Sequence, residues 1–194
     1  MAKKILAVAG SPRKGGNSET LLDRVIRSAE EHGAEVKKIR VCDLKINGCL
    51  HCDYCVEHGE CVQDDDMRGI YPEFFSADVI LVATPMFFMN VPSQLKAFID
   101  RFQCMWAKRF VLKQPLREDG VRPRGVMLAV GGTKGKSLFN GLDLLMSVFF
   151  DITDVGFDRE ASLYYRSIDG RGEIEKHETA MQDADALGRM LAGQ

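Results

Sequence analysis

The chain has 194 residues, 45% of them hydrophobic and 28% charged, with 26 Lys plus Arg against 28 Asp plus Glu for a formal net charge of -2. That length suits one domain with a full hydrophobic core. The near balance of charge leaves no basic field, which argues against nucleic acid as a partner.

The opening MAKKILAVAG has only a short apolar run before Gly10. It is too short for a signal-peptide core or a membrane span, so a cytoplasmic, membrane-free location is the expectation. Ile5 to Ala9 read as a strand buried on both faces. Behind it comes a loop of small and basic residues, Ser11 to Gly16, then Asn17 or Ser18 as a helix cap. Backbone N–H groups and a positive helix end meet there beside Ser11, Arg13, Lys14 and Ser18, a turn suited to phosphate. Its glycines fit neither the dinucleotide fingerprint nor the triphosphatase loop, which points away from NAD and ATP and leaves a phosphate monoester such as FMN. An ordinary Gly-rich connection is the plain alternative.

Leu21, Leu22, Val25, Ile26 and Ala29 recur at helical spacing, with Gly33 closing that helix, and a second strand begins near Ala34. The segment from Cys42 to Asp66 has little periodicity. A short helix is expected over Met67 to Phe75, then a strand over Val79 to Ala83 that stops at Thr84-Pro85. The loop Met86, Phe87, Phe88, Met89, Asn90 follows, and Pro92 opens a helix that continues into Cys104, Met105 and Trp106. Residues 107–123 read as a surface connection. Gly125 to Val130 form a further buried run, closed by Gly131-Gly132. A helix through Leu138 to Phe150, a short strand around Ile152 to Phe157, and a last element from Gly172 to about Leu191 complete the chain. Alternation of strand and helix about five times predicts a parallel sheet with helices on both faces and ligands at the carboxyl ends of its strands.

Three loops then share one edge. The first supplies phosphate donors. The second, with Thr84, Pro85, Met86, Phe87, Phe88 and Asn90, offers aromatic and sulfur surface beside backbone amides, as a flat ring needs. Gly131 and Gly132 let the third approach that ring. Core packing or a subunit interface is the plain alternative for the apolar loop residues, and the two roles are compatible.

Five of the six cysteines fall in the aperiodic segment. Cys49, Cys52, Cys55 and Cys61 stand as C-x2-C-x2-C-x5-C, a spacing that suits the corners of an iron-sulfur cube better than structural zinc or a redox CxxC pair. Zinc, a disulfide or free thiols remain the other readings. His51 and His58 read as surface or outlying residues, Cys42 as a strand-end residue and Cys104 as packing. Trp106 reads as a substrate-side wall or a subunit contact.

GSPRKGGNS, then TPMFFMNVPSQLKAFIDR, then AVGG resemble the flavodoxin-like NAD(P)H-dependent FMN reductase family. The cysteine motif, with Asp65-Asp66-Met67 after it, resembles that family's iron-sulfur flavoprotein branch. The resemblance implies a flavodoxin-like, doubly wound, five-stranded parallel sheet in a single domain over 1–194, with a cysteine-rich insertion at about 42–66. It implies an FMN phosphate near Ser11, Arg13, Asn17 and Ser18, and a flavin ring against Pro85, Met86, Phe87, Phe88 and Asn90. It also implies a [4Fe-4S] cluster on Cys49, Cys52, Cys55 and Cys61, and a homodimer or homotetramer. The family commonly has Tyr where this chain has Phe87 or Phe88.

The function expected is a redox protein passing electrons between FMN, the cluster and a ferredoxin-like carrier or small acceptor. No dedicated catalytic acid or base is needed, and Asp100, Arg101 and Arg109 read as structural or electrostatic. One rival is a cluster-free reductase of FMN or quinones using NADH or NADPH. Another is a flavodoxin-like carrier with little reductase activity.

Overall fold

The computed structural model describes residues 2–193. In chain order it contains β1 (Lys4–Ala9), α1 (Asn17–Glu31), β2 (Glu35–Arg40), a tight turn at Val41–Asp43, α2 (Tyr54–His58), α3 (Met67–Ser76) and β3 (Val79–Pro85). There follow α4 (Ser93–Asp100), α5 (Gln103–Trp106), a widened helical turn at Ala107–Val111, β4 (Arg124–Val130), α6 (Asn140–Ile152), β5 (Gly156–Phe157), β6 (Leu163–Tyr165), a tight turn at Glu173–Lys176 and α7 (Ala180–Leu191).

Every strand pairing is parallel, in the order β2-β1-β3-β4-β5, with β6 also on β4. This is the flavodoxin-like, doubly wound sheet. Parallel strands need crossover helices, and those cover both faces, so alternate strand residues are apolar in both directions. Leu6, Val8, Ile80, Val82, Met127 and Ala129 pack into one layer with α3, α4 and α6. Ile5, Ala7, Leu81, Ala83, Val126 and Leu128 pack into the other with α1 and α7. The winding reverses between β1 and β3, which opens a crevice at their carboxyl ends.

Several elements differ from the sequence expectation: the last one splits into the turn at Glu173–Lys176 and α7, and the connection over 107–123 starts as the helical turn Ala107–Val111 with Ala107 buried. The strand expected around Ile152 to Phe157 is displaced, because α6 runs through Ile152. The fifth position of the sheet is instead shared by β5, opposite Arg124 and Gly125, and β6, opposite Leu128 to Val130. Between them the Met127 N–H donates to Ser162 Oγ at 3.0 Å, so a side chain replaces a strand carbonyl.

The helix expected from Pro92 into Trp106 breaks at Arg101-Phe102. The Arg101 carbonyl accepts from Tyr71 Oη at 2.8 Å and Cys104 Sγ at 3.3 Å, while Met105 N–H turns to Phe102 O at 2.9 Å. Among the described residues no helix is long and apolar enough to cross a membrane.

Candidate functional site

The carboxyl ends of β1, β3 and β4 enclose a cleft of about 370 Å³, within the usual range for small-molecule sites. The first loop contributes Ser11, Pro12, Arg13, Gly16, Asn17 and Ser18, the second Pro85, Met86 and Phe87, and the end of β4 Val130, Gly131 and Gly132. Its far wall, Ile168 and Asp169, comes from the loop after β6. Those two residues are absent from the sequence-derived set; the turn signal Asp169-Gly170 was the only hint of them.

Helix α1 starts without a side-chain cap. Thr20 N–H is the first to bond back, to Gly16 O at 2.9 Å, so the N–H groups of Asn17, Ser18 and Glu19 have no helical partner. Ser18 is buried at the same turn. The positive end of the helix and these donors face the cleft.

Other members of the loop are already engaged. Ser11 Oγ accepts from Arg13 N–H at 3.1 Å and donates to Arg13 O at 3.2 Å, which holds the turn. The Asn17 side chain donates to Gly170 O at 2.8 Å and accepts from Gly172 N–H at 3.0 Å, so it clamps the far wall to α1.

Buried Glu19 organises the loop from behind. Its Oε2 accepts Gly15 N–H at 2.9 Å, and its Oε1 accepts Lys38 Nζ at 2.8 Å and Arg40 Nε at 2.7 Å. Burial pushes this carboxyl up, but the hydrogen bonds from Lys38, Gly15 and Arg40, with the charge of Lys38, outweigh it and hold the group below its ordinary value.

Four expected cofactor contacts lie off the cleft lining. Lys14 is exposed and pairs with Asp43 at 3.5 Å. Thr84 is buried and donates to Pro85 O at 2.9 Å. Asn90 Oδ1 accepts Val91 N–H at 2.8 Å. Phe88 projects fully into solvent, at 104% relative exposure.

The cause is a tight hairpin in which Phe87 N–H donates to Asn90 O at 2.8 Å and Asn90 N–H to Phe87 O at 2.9 Å. Phe88 and Met89 between them adopt φ of 50° and 59°, a left-handed conformation that Asn-Gly would occupy without strain. Of the four hairpin residues Phe87 to Asn90, Phe87 is the one that lines the cleft.

Gly131 and Gly132 do line it. A Cβ on Gly131 would lie 2.7 Å from Leu138 Cδ2 and 3.1 Å from Met86 Cγ, and one on Gly132 2.8 Å from Asp169 Oδ1. The loops pack on one another through these glycines.

Cys49, Cys52, Cys55 and Cys61 line a second pocket together with Arg101, Gln103 and Cys104. All six cysteines are free. Among the described residues no three Cys, His, Asp or Glu side chains are grouped to hold a metal ion. The space between the thiols is about 20 Å³, that of one water molecule. It adjoins a cavity of about 350 Å³ that shares Cys49, His51 and Gln103.

Cys104 is buried, and burial pushes its thiol up to about 11. His58 stacks on Tyr54 with ring centroids 3.9 Å apart, and His51 Nε2 lies 3.6 Å from Asp53. Asp100 pairs with Lys96, Arg109 with Asp154 and Arg101 with Asp65.

A family model described as NADPH-dependent FMN reductase matches residues 3–155. The chain is 41% identical over 98 residues to an iron-sulfur flavoprotein of Archaeoglobus fulgidus, covering 50% of this chain and 44% of that protein. It is 37% identical over 131 residues to an iron-sulfur flavoprotein of Methanosarcina thermophila, covering 68% and 64%. It thus spans less than two thirds of the length of these relatives. Among solved structures, the NAD(P)H:quinone oxidoreductase from Methanothermobacter marburgensis superposes with a TM-score of 0.71 at 15% identity, covering 98% of this chain and 100% of that one.

Proposed function

The chain belongs to the NADPH-dependent FMN reductase family, and from that premise we propose that it is an FMN-dependent oxidoreductase that takes electrons from reduced nicotinamide and delivers them to a quinone or another small acceptor. The observation that carries this reading is the uncapped start of α1 opening into the cleft. The free N–H groups of Asn17, Ser18 and Glu19, the Ser18 hydroxyl and exposed Arg13 fit a phosphate monoester. Pro85, Met86 and Phe87 fit one side of a flat ring, and Ile168 with Asp169 closes the other.

Bound FMN supplies acceptance of a hydride and release of electrons singly or in pairs. The chain's own part is to hold the phosphate on α1, keep the ring edge against the β3 loop and exclude water from the Met86 side. No side chain lining the cleft is required to move a proton. The reading is tested by fluorescence titration of FMN, then anaerobic reduction by NADH and NADPH and turnover with a soluble quinone. Failure to bind FMN refutes it; binding without reduction by either nicotinamide leaves an electron carrier in its place.

A second reading adds a [4Fe-4S] cluster on Cys49, Cys52, Cys55 and Cys61, which would exchange electrons one at a time. Its support is that four free cysteines and the buried Arg101 line a single pocket, together with the name iron-sulfur flavoprotein on the relatives above. The donor chemistry fits such a cluster, whereas the enclosed volume does not. Room has to come from the stretch 49–52, where Cys49 and Cys52 are exposed and no backbone hydrogen bond ties the chain down among the described residues. Iron and sulfide analysis after anaerobic reconstitution decides between the two readings.

A further inference from the structure

The mouth of the β1–β3–β4 cleft has two unlike sides. One is the hairpin after β3, where Phe87, Phe88 and Met89 are all exposed and Phe87 also lines the cleft. An apolar surface of this kind marks a contact site. Phe88 and Met89 hold left-handed backbone, a cost to folding that fits a segment shaped for binding rather than for stability.

The other side is the segment that leaves β4. It starts at Gly131 and Gly132 on the cleft wall, and further along a Cβ on Gly141 would lie 2.8 Å from Met89 O. The stretch between them therefore runs from the cleft wall to the foot of the hairpin, and it carries Lys134 and Lys136, both exposed. The loop after β6 is laced to it. Ser167 N–H donates to Thr133 O at 3.3 Å, Ile168 N–H to Gly131 O at 3.1 Å, and Arg166 Nη2 to Lys136 O at 3.0 Å. Arg166 is exposed as well, with its guanidinium 5.2 Å from the centre of the Phe139 ring.

Among the described residues Lys134, Lys136 and Arg166 form no ion pair. Nearby carboxylates are engaged elsewhere: Glu173 accepts the N–H groups of Asp169 and Gly170 at 2.8 Å, and Asp143 pairs with Arg159 at 3.2 Å. Asp169 on the far wall is the one acidic group left to oppose them. A phosphate on α1 does not account for these three cations either. That end of the cleft has Arg13, and Arg171, whose Nη2 donates to Lys14 O at 3.3 Å and would lie 3.2 Å from a Cβ on Gly15.

We propose that the cleft mouth selects as electron acceptor a flat aromatic or quinoid molecule bearing an acid group, with its ring on the Phe87–Phe88–Met89 surface and its charge attracted by Lys134, Lys136 and Arg166. This rests on the oxidoreductase reading and names its acceptor. Direct contact with the anion is not required, because unpaired charges within a Debye length of about 8–10 Å raise the local concentration of opposite charge at a cleft. The balance is that of any quinone reduction: reduced nicotinamide gives a hydride, water gives a proton, and the quinone leaves as the hydroquinone.

The test titrates the FMN-loaded, oxidised protein calorimetrically with naphthalenesulfonate and with its neutral sulfonamide, so that binding is read without turnover. Wild type is compared with the pair Lys134→Gln/Lys136→Gln and with Phe88→Ala. At low ionic strength wild type is expected to hold the sulfonate about tenfold tighter than the sulfonamide, a preference that added salt erases. The lysine pair should lose most of that preference with FMN and sulfonamide affinities unchanged. Phe88→Ala should weaken both ligands alike, by about fivefold.

Equal affinities in wild type, or a preference that survives high salt or the lysine substitutions, overturns the proposal and leaves the oxidoreductase reading standing. Protein that takes up no FMN overturns both. Sedimentation velocity is run on the same samples. A change of assembly in Phe88→Ala with both ligand affinities intact gives the hairpin to a second copy of the chain and overturns its role as a platform. The salt series on wild type needs no variant to fold.

Discussion

Replacing Glu19 by Gln isolates what the buried carboxylate does for the loop after β1. The amide has one acceptor oxygen where the carboxylate has two. Its NH2 must therefore face either Gly15 N–H or the pair Lys38 Nζ and Arg40 Nε, donor against donor. Hydrogen bonds to a charged group are worth about 1.5–3 kcal/mol each and breaking a buried pair about 3–5 kcal/mol.

Lys38 keeps Asp23 at 2.6 Å and Arg40 keeps Asp43 at 2.7 Å, so the lower end, about 3 kcal/mol, is expected. For a chain of this size that lowers Tm by about 6–12 °C. Because the folded-state carboxyl is held below 4.5, its contribution is complete above that pH and is lost as pH falls through the depressed value. Circular-dichroism melts of the flavin-free protein should thus show a full gap between wild type and variant at neutral pH, narrowing in acid. A gap below about 1 °C at neutral pH, or one that widens on acidification, refutes the account of the loop (predicted Tm scale as above).

Gly131→Ala should drive Met86 and Leu138 from their seats, since the new Cβ meets them at 3.1 and 2.7 Å. FMN affinity measured by fluorescence quenching is expected to fall about tenfold, ~1.4 kcal/mol. The pair Phe88→Asn with Met89→Gly relieves two left-handed bulky residues, so the urea midpoint should rise by about 1–2 kcal/mol equivalent. Gly188→Ala puts a Cβ 2.6 Å from Val25 O on α1. Despite the better helix propensity of alanine, a loss of about 1–3 kcal/mol is expected in thermal melts.

Much of the site was legible because its signals are local. The apolar runs of β1, β3 and β4, the small residues after each, and Pro92 before α4 are read within a few positions of one another, and their order along the chain forces the doubly wound sheet. That brought Ser11, Ser18, Met86 and Gly131 to one edge correctly. Side-chain direction was less accessible. Whether Lys14 turns to a ligand or to Asp43, and whether Phe88 faces the cleft or the solvent, depends on partners far away in sequence and on a hairpin whose residues break the usual turn chemistry.

The split fifth strand belongs to the same class, since Ser162 reaches Met127 across 35 positions. Apolar runs, helical periodicity and turn residues by themselves determined the layers of this protein and the edge at which the cleft opens, because strands buried on both faces leave continuous apolar runs and helices buried on one face leave a repeat near 3.6 residues. Only the tertiary structure decided that Asn17 clamps the far wall, that Glu19 braces the loop, and that Arg101 is buried with its Nε and Nη2 donors unmet. Hydrogen bonding between side chains is directional and long in sequence, and no local pattern encodes it.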